Sequence, residues 1–291
     1  MKKQIGLCCA AAMVLGSVSL KAGEDGVVID TVRYDTSYDY PSHLYIIRPA
    51  GVEGKLPCIM YVKGSAWKKQ NMKEAVRRMT VMARMGYVVA CVEYRPCSVA
   101  LFPAQVEDFK TAVRFMRAHA DEYGVDTGNM FSWGGSSGGH TVLLSAFTQD
   151  SRLLDSGRLG EWSCEVKAVV DCYGPSELVY EFRIESGVQR DPDANGGLLL
   201  GDPVEEKRDV ALKASPLYYV HPCSVPLFVL HGDSDKVVPV AQSRWLVERC
   251  RECGTPCEYL EIPGAGHGTA EFWTPETYAR VDAFFRRFID K

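Results

Sequence analysis

The chain has 291 residues, of which 46% are hydrophobic and 24% are charged, and its formal net charge is −4. These proportions are ordinary for a globular protein with a sizeable core, and the charge gives no basic surface for nucleic acid. No internal apolar run is long enough to span a membrane, and an α/β fold of this size is usually a single domain.

The first segment has the pattern of a secretory signal peptide. A short basic start precedes a mostly apolar stretch from Ile5 to Leu20, and the small residues Ala22 and Gly23 follow. These are the three parts of such a peptide. We expect residues 1–22 to be removed, which makes the mature protein secreted or periplasmic, and residues 24–291 to form one domain. A retained anchor is the alternative, but the run is short for one.

The next part of the chain predicts three strands and a helix. The strands Val27–Tyr34 and Leu44–Arg48 flank a polar turn. Leu56–Val62 is a near-continuous apolar run, which is typical of a strand buried on both faces. A helix is predicted over 71–85, because its apolar residues lie on one face and its start resembles a capping box.

The middle of the chain repeats this alternation. Tyr87–Val92 is a predicted strand, and 102–119 is a predicted helix. The segment 129–147 combines a short strand, a sharp turn and an apolar helix, and Val166–Tyr173 is the next strand. Residues 178–214 are Gly-rich and polar with weak helical signals. We expect them to form an excursion, a segment that leaves the sheet and covers its edge, where it could form one wall of a site.

The last part supplies two strands and two helices. They are the strand Val225–Gly232, the helix Val240–Cys253, the strand Cys257–Ile262 and a final helix opened by Thr274 and Pro275. Strands that alternate with helices predict an α/β fold. We expect a mainly parallel central sheet of about eight strands with helices on both faces.

The turn in 129–147 carries a candidate nucleophile. Gly134-Gly-Ser136-Ser-Gly138 fits G-x-S-x-G, the pattern of a nucleophile elbow, in which a strained turn lifts a serine above the sheet. Gly135-Ser-Ser137-Gly-Gly139 fits the same pattern. We favour Ser136, which has small residues two before and two after it and leaves Gly139 in the first helical turn.

A serine nucleophile needs a base and a group that orients the base. The loop after the penultimate predicted strand contains Asp233 and Asp235, and the loop after the last one places His267 between glycines. The order serine, acid, histidine is the one that a hydrolase of this architecture requires. We predict Asp235 as the acid, because Asp233 directly follows the strand end and could instead cap the turn.

A tetrahedral intermediate also requires backbone N–H donors for its oxyanion. One predicted donor is the N–H of Ser137, the residue after the nucleophile. The other is predicted in the loop after Val62, at Ser65 and Ala66.

The chain has 11 cysteines, and Cys8 and Cys9 lie in the predicted signal peptide, so nine remain in the mature protein. Cysteines 58, 91 and 172 lie in apolar runs and are predicted core residues. The cluster of cysteines 250, 253 and 257 has no histidine at zinc-ligand spacing. We interpret it as a helix end and a strand start with one possible disulfide, and predict no metal site.

Several motifs in register resemble the α/β-hydrolase superfamily of the esterase and lipase kind, close to the secreted feruloyl and acetyl (xylan) esterases. The resemblance covers about Leu44 to Phe288 and rests on Tyr94-Arg95, 102–108, 133–140, Tyr173-Gly-Pro175, Ala214-Ser-Pro216, 231–235 and Gly266-His267.

One motif departs from the family pattern. Relatives carry His-Gly-Gly-Gly-Trp in the oxyanion loop, and this chain carries Lys63-Gly-Ser-Ala-Trp67. The hole can survive if Ser65 and Ala66 hold the turn, although a side chain adds strain where φ is positive. Lys63 could attract an anionic substrate, and we expect it instead to reach solvent.

The resemblance implies a secreted serine carboxylic ester hydrolase without a cofactor, which removes acetyl or feruloyl groups from plant polysaccharide. The partner is then a small ester or an esterified polysaccharide, with no nucleic acid and no stable membrane association. Trp67 and Tyr173 are candidate substrate-binding residues. The alternatives are a serine peptidase of the prolyl-oligopeptidase type and a catalytically impaired binding protein of the same fold.

Overall fold

The apolar runs pair into one sheet in the computed structural model, which describes residues 18–20, 26–179, 195–222 and 224–290. The described strands are β1 (Val18–Leu20), β2 (Val27–Arg33), β3 (His43–Pro49), β4 (Leu56–Val62), β5 (Val88–Val92), β6 (Val125–Gly135), β7 (Val169–Cys172), β8 (Leu227–Gly232) and β9 (Cys257–Ile262).

Helices cover the sheet. The described α-helices are α1 (Met72–Arg84), α2 (Ala104–Ala118), α3 (Ala120–Tyr123), α4 (Ser137–Phe147), α5 (Asn195–Leu200), α6 (Arg208–Lys213), α7 (Ala241–Cys253) and α8 (Pro275–Arg286). Short 3-10 helices form at Pro216–Tyr219 and Ala270–Trp273. Within the described ranges, none of the helices combines the length and the apolar character that crossing a bilayer requires.

The strand order places the predicted site loops at one edge. The order across the sheet is β1-β2-β3-β5-β4-β6-β7-β8-β9. The pairs from β1 to β5 are antiparallel, and those from β5 through β4 to β9 are parallel. The predicted mainly parallel α/β fold is confirmed. Because the carboxyl ends of parallel strands share an edge, the loops after β4, β6, β8 and β9 meet there.

The two faces of the sheet bury separate apolar clusters. On one face, side chains of α2 and α4 such as Phe109 and Val142 pack on the strands. On the other face, α1 and α8 contribute residues such as Met79 and Phe285. The predicted core cysteines 58, 91 and 172 are fully buried. Helices therefore lie on both faces, as predicted.

Most predicted elements form within a few residues of their predicted bounds, because their signals are local. The Asn71 side chain accepts a hydrogen bond from the Glu74 N–H, which caps α1 as expected. The strand predicted over 166–173 is shorter and begins at Val169. Val166 itself stays outside the sheet, because its N–H donates to the Gln149 side chain at 2.9 Å.

The predicted signal peptide lies outside the described residues, except for β1. Val18 in β1 pairs antiparallel with Thr31 in β2. Residues 180–194 of the predicted excursion also lie outside them. Of its described part, Leu178, Leu199 and Ala211 are buried together with Trp67, which lies in the loop after β4.

Candidate active site

The turn between β6 and α4 has the geometry of a nucleophile elbow. Ser136 sits at φ 56° and ψ −128°, a conformation that non-glycine residues rarely adopt. Such strain costs about 1–3 kcal/mol and is concentrated at functional sites. Gly138 has no room for a side chain, because an added Cβ would lie 2.1 Å from the Val62 carbonyl oxygen. This close approach locks α4 against the loop after β4.

The loop after β9 brings His267 to this serine. His267 Nε2 lies 2.8 Å from Ser136 Oγ, and His267 Nδ1 lies 2.7 Å from Asp235 Oδ2. A carboxylate only accepts hydrogen bonds, so Nδ1 carries the proton and Nε2 is left to accept the Ser136 O–H. The structure therefore brings together Ser136, Asp235 and His267 in the arrangement of a serine hydrolase. Ser137, the alternative nucleophile, makes no such contact with His267.

Asp235 is fixed through both carboxylate oxygens. Oδ1 accepts the N–H groups of Val237 and Val238 at 2.8 and 2.9 Å, while Oδ2 faces His267. Burial alone would raise the pKa of Asp235, but hydrogen bonds from His231 and His267 outweigh it and hold the pKa below its ordinary value. The carboxylate thus stays charged where the base needs a partner.

The alternative acid, Asp233, has another role. Its Oδ1 accepts the Gly264 N–H at 2.7 Å and the Ser234 hydroxyl at 3.0 Å. This contact ties the loop after β8 to the loop after β9. Asp233 therefore caps the turn, and the structure does not bring it to His267.

A second histidine, which is not among the predicted site residues, contacts the acid. His231 is fully buried, with Nε2 at 3.4 Å from Asp235 Oδ2 and 2.9 Å from the Val238 carbonyl. Both neighbours are acceptors, so Nε2 carries the proton and Nδ1 accepts from the Ser243 hydroxyl at 2.6 Å. The four-residue spacing of His231 and Asp235 across a strand end was the available signal.

The predicted oxyanion donors lie beside Ser136 but are not equivalent. Only Gly64 in this loop must lack a side chain, because an added Cβ would lie 2.6 Å from Ser136 Cβ. The Ser65 N–H is occupied, since it donates to Ser137 Oγ at 2.9 Å. Within the described part of the chain, the N–H groups of Ala66 and Ser137 form no hydrogen bond. These two remain available to an oxyanion, and Ala66 holds the strained φ of 53°.

The expectation that Lys63 reaches solvent is wrong. Its side chain is only 16% exposed, and its Nζ lies 3.2 Å from Glu74 Oε2 on α1. The same Nζ donates to the Gly64 carbonyl at 3.1 Å. The charge of Lys63 is therefore neutralised beside the loop, so it also offers little attraction for an anionic substrate.

The two predicted substrate-binding aromatics are buried, each 4% exposed. The Trp67 indole N–H donates to His140 Nδ1 at 3.2 Å, and His140 Nε2 then donates to the Ala214 carbonyl at 2.6 Å. The Tyr173 ring packs edge-on against His267, with 4.8 Å between centroids. The geometry favours a positioning role for both rings over the predicted contact with substrate.

The cysteine cluster shows free thiols at positions 250, 253 and 257. In the described ranges, no group of three or more histidine, cysteine or acidic side chains could hold a metal ion.

Two buried groups beside α4, His140 and Asp171, are expected to make the folding stability change with pH in opposite directions. Burial lowers the pKa of His140 from 6.5 to about 4, so its contribution is full above pH 6.5 and is lost as the pH falls. Burial raises the pKa of Asp171 from 3.8 to about 7. Its contribution is therefore full below pH 3.8 and is lost as the pH rises. Between about pH 4 and pH 6.5, the stability therefore rises with pH through His140 and falls with pH through Asp171.

Asp171→Asn keeps the shape of the side chain and removes the pH dependence of the stability that Asp171 causes. From pH 5 to pH 7, the unfolding free energy of this variant relative to wild type should rise by about 2 kcal/mol. His140→Asn should show a change of similar size and opposite sign. Urea denaturation at both pH values measures these differences, and profiles parallel to wild type would contradict the assignment.

Comparison with known families identifies the chain. The BD-FAE family model matches residues 44–250. The chain is 31% identical over 244 residues to the probable carboxylic ester hydrolase LipM of Mycobacterium tuberculosis, covering 79% of this chain and 54% of LipM. It is also 31% identical over 216 residues to esterase LipC of the same organism, covering 73% and 53% of the two proteins. The chain thus spans about half the length of these curated relatives.

Solved structures agree with this comparison. A bifunctional GH43-CE protein of Bacteroides eggerthii superposes with a TM-score of 0.83 at 28% identity, covering 92% of this chain and 39% of that one. A truncated carbohydrate esterase from gut microbiota gives a TM-score of 0.81 at 26% identity, covering 91% and 98%. The α/β-hydrolase fold and the resemblance to carbohydrate esterases, both predicted from sequence, are confirmed.

Proposed function

The chain belongs to the BD-FAE family, and we propose that it is a serine carboxylic ester hydrolase that works through an acyl-enzyme. One observation carries the proposal: Ser136, His267 and Asp235 form a continuous hydrogen-bonded series, with distances of 2.8 and 2.7 Å. The neutral His267 has the tautomer that accepts a proton from serine. This arrangement is suited to acyl transfer and needs no cofactor.

The first chemical step is the activation of Ser136. Its hydroxyl is a weak nucleophile until His267 Nε2 takes the proton during attack on the ester carbonyl. The imidazolium that forms carries its positive charge next to the Asp235 carboxylate, which stabilises it. Ser136 bonds to the carbonyl carbon as the carbonyl oxygen becomes an oxyanion.

The oxyanion is then stabilised by the loop after β4 and by α4. Donors should lie about 2.7–3.1 Å from the oxyanion position. The Ser137 N–H directly follows the nucleophile in the chain, and the Ala66 N–H belongs to the loop whose Gly64 packs against Ser136. Ser137 is also the first residue of α4, whose N-terminus favours negative charge. As the intermediate collapses, His267 gives its proton to the leaving alcohol. Water then attacks the acyl-enzyme by the same route.

The substrate that we propose is an acetyl or feruloyl ester on plant polysaccharide. Two solved structures with the same fold and 26–28% identity are described as a carbohydrate esterase and as a GH43-CE protein. Their likeness covers more than nine-tenths of this chain. We also propose that residues 1–22 are a signal peptide, so that the enzyme meets polysaccharide outside the cytoplasm. The mass of the mature protein would test that cleavage.

Digestion of acetylated, feruloylated arabinoxylan tests the substrate. Wild type should release acetate, ferulate or both, and Ser136→Ala should release neither above the blank. Hydrolysis of p-nitrophenyl acetate without release from arabinoxylan would overturn the polysaccharide substrate and leave the esterase. Cleavage of amide substrates in preference to esters would instead favour the serine peptidase.

A further inference from the structure

The loop Lys63–Trp67 contains a single glycine, Gly64, and side chains hold its backbone in place. Both polar groups of the Gly64–Ser65 peptide bond form hydrogen bonds with side chains. Its carbonyl accepts from Lys63 Nζ at 3.1 Å, and its N–H donates to Ser137 Oγ at 2.9 Å. We propose that the side chains of Lys63, Tyr94 and Ser137 are positioning residues that set the oxyanion donor of Ala66. This inference rests on the proposed ester hydrolase function.

The Ser137 hydroxyl belongs to a series of hydrogen bonds with one consistent direction. The Ser65 hydroxyl donates to the Lys68 carbonyl at 2.6 Å, so it must accept from the Tyr94 hydroxyl at 2.9 Å. Tyr94 has then used its proton, so it accepts from Ser137 Oγ at 3.3 Å. Ser137 Oγ in turn accepts the Ser65 N–H. Every donor has one acceptor, and reversing one bond would leave another group unsatisfied.

Lys63 holds the other end of the same peptide group and is itself anchored. Glu74 lies 3.2 Å from Lys63 Nζ and 2.5 Å from Arg78, both Glu74 and Arg78 being on α1. Burial opposes ionisation of Glu74, but its contacts with Lys63 and Arg78 lower the pKa of that carboxyl. The loop is thus tied to α1 on one side and to Tyr94 and α4 on the other.

These contacts determine the direction of the next N–H along the chain. The Ser65 carbonyl accepts the Lys68 N–H at 3.1 Å, which fixes the Ser65–Ala66 peptide plane. The Ala66 N–H belongs to this plane and points away from that carbonyl. Because Ala66 itself sits at φ 53°, the unaided backbone would not favour this arrangement. The side-chain contacts therefore stabilise a loop conformation that its own backbone does not favour.

Steady-state kinetics on p-nitrophenyl acetate test the inference. Ser137→Ala keeps the backbone N–H and removes the acceptor of Ser65, so kcat should fall about 10- to 100-fold, somewhat less than the loss of a whole oxyanion donor. KM should stay within about threefold. Lys63→Met should act in the same way, and Lys63→Arg should recover part of the loss because it restores a donor to the Gly64 carbonyl.

Three further measurements separate positioning from a general loss of structure. Affinity for a trifluoromethyl ketone, whose hemiketal carries an oxyanion, should weaken with Ser137→Ala by about the same factor as kcat. Tyr94→Phe combined with Ser137→Ala should lose little beyond Ser137→Ala alone, because both act through Ser65. The matched control is Ser132→Ala, which removes an equally buried hydroxyl without a described hydrogen-bond partner and should leave kcat unchanged.

The outcomes distinguish this inference from the function on which it rests. If wild type turns over the ester but Ser137→Ala and Lys63→Met keep kcat and ketone affinity within twofold, the positioning role is refuted and the esterase remains. If wild type neither hydrolyses esters nor binds the ketone, the proposed function fails, and the positioning role fails with it.

Discussion

Ser136→Ala is expected to lower kcat for ester hydrolysis by about four to six orders of magnitude. The hydroxyl that His267 Nε2 approaches to 2.8 Å is the group that bonds to the acyl carbon, and alanine offers no substitute. The remaining rate comes from substrate binding and from the Ala66 and Ser137 N–H groups. Initial rates on p-nitrophenyl acetate, with enzyme in large excess for the variant, measure the loss.

The same variant can be separated from a folding defect and from the other serine. Alanine keeps the Cβ that already sits at φ 56°, so Tm should stay within a few degrees of wild type. A fluorophosphonate should add one label to wild type and none to Ser136→Ala. More than 1% residual activity, or a label on Ser137, would show that the other fit to G-x-S-x-G holds the nucleophile.

Asp235→Asn is expected to lower kcat by about 10⁴-fold with KM little changed, which is the effect of holding the base in the wrong tautomer. Backbone N–H groups determine the orientation of the asparagine side-chain amide. The position of Oδ1 accepts two N–H groups, from Val237 and Val238, so the amide oxygen of asparagine is held there. Its NH₂ group must then face His267 Nδ1. The imidazole can accept this bond only by moving its proton to Nε2, where it can no longer deprotonate Ser136.

Asp233→Asn is the matched control for this substitution. Asp233 is two residues away in the same loop, but its contacts are with Gly264 and Ser234. Asparagine can keep the bond from the Gly264 N–H, so kcat should stay within about twofold of wild type. A loss from Asp233→Asn as large as that from Asp235→Asn would refute the assignment of the acid.

His231→Gln tests how far His231 acts by orienting Asp235, because the substitution leaves the carboxylate charge in place. Glutamine can offer an N–H where His231 Nε2 now lies, between Asp235 and the Val238 carbonyl. We expect a loss far smaller than that of Asp235→Asn, because the carboxylate charge and the His267 contact both persist.

Local patterns in the sequence predict most of the strands and helices and the chain order of the site residues. Leu56–Val62 forms a strand with its predicted bounds, because a near-continuous apolar run between polar turns carries its own signal. Cys257–Ile262 also forms a strand with its predicted bounds. The caps of α1 and α8 follow from Asn71 and Thr274, whose side chains accept from N–H groups three residues ahead. Such interactions span only a few residues, so they can be recognised in the sequence.

Which site atoms come into contact depends on the fold. Both serines fit the elbow pattern and both aspartates lie in the same loop, and the positions of β6, β8 and β9 bring Ser136 and Asp235 to His267. The contacts of Ser137 with Ser65 and Tyr94 join residues 72 and 43 positions apart. These contacts depend on strand order, because β4 lies between β5 and β6. Local patterns in a sequence carry no information about that order, so the side chains that hold the oxyanion loop emerge only from the fold.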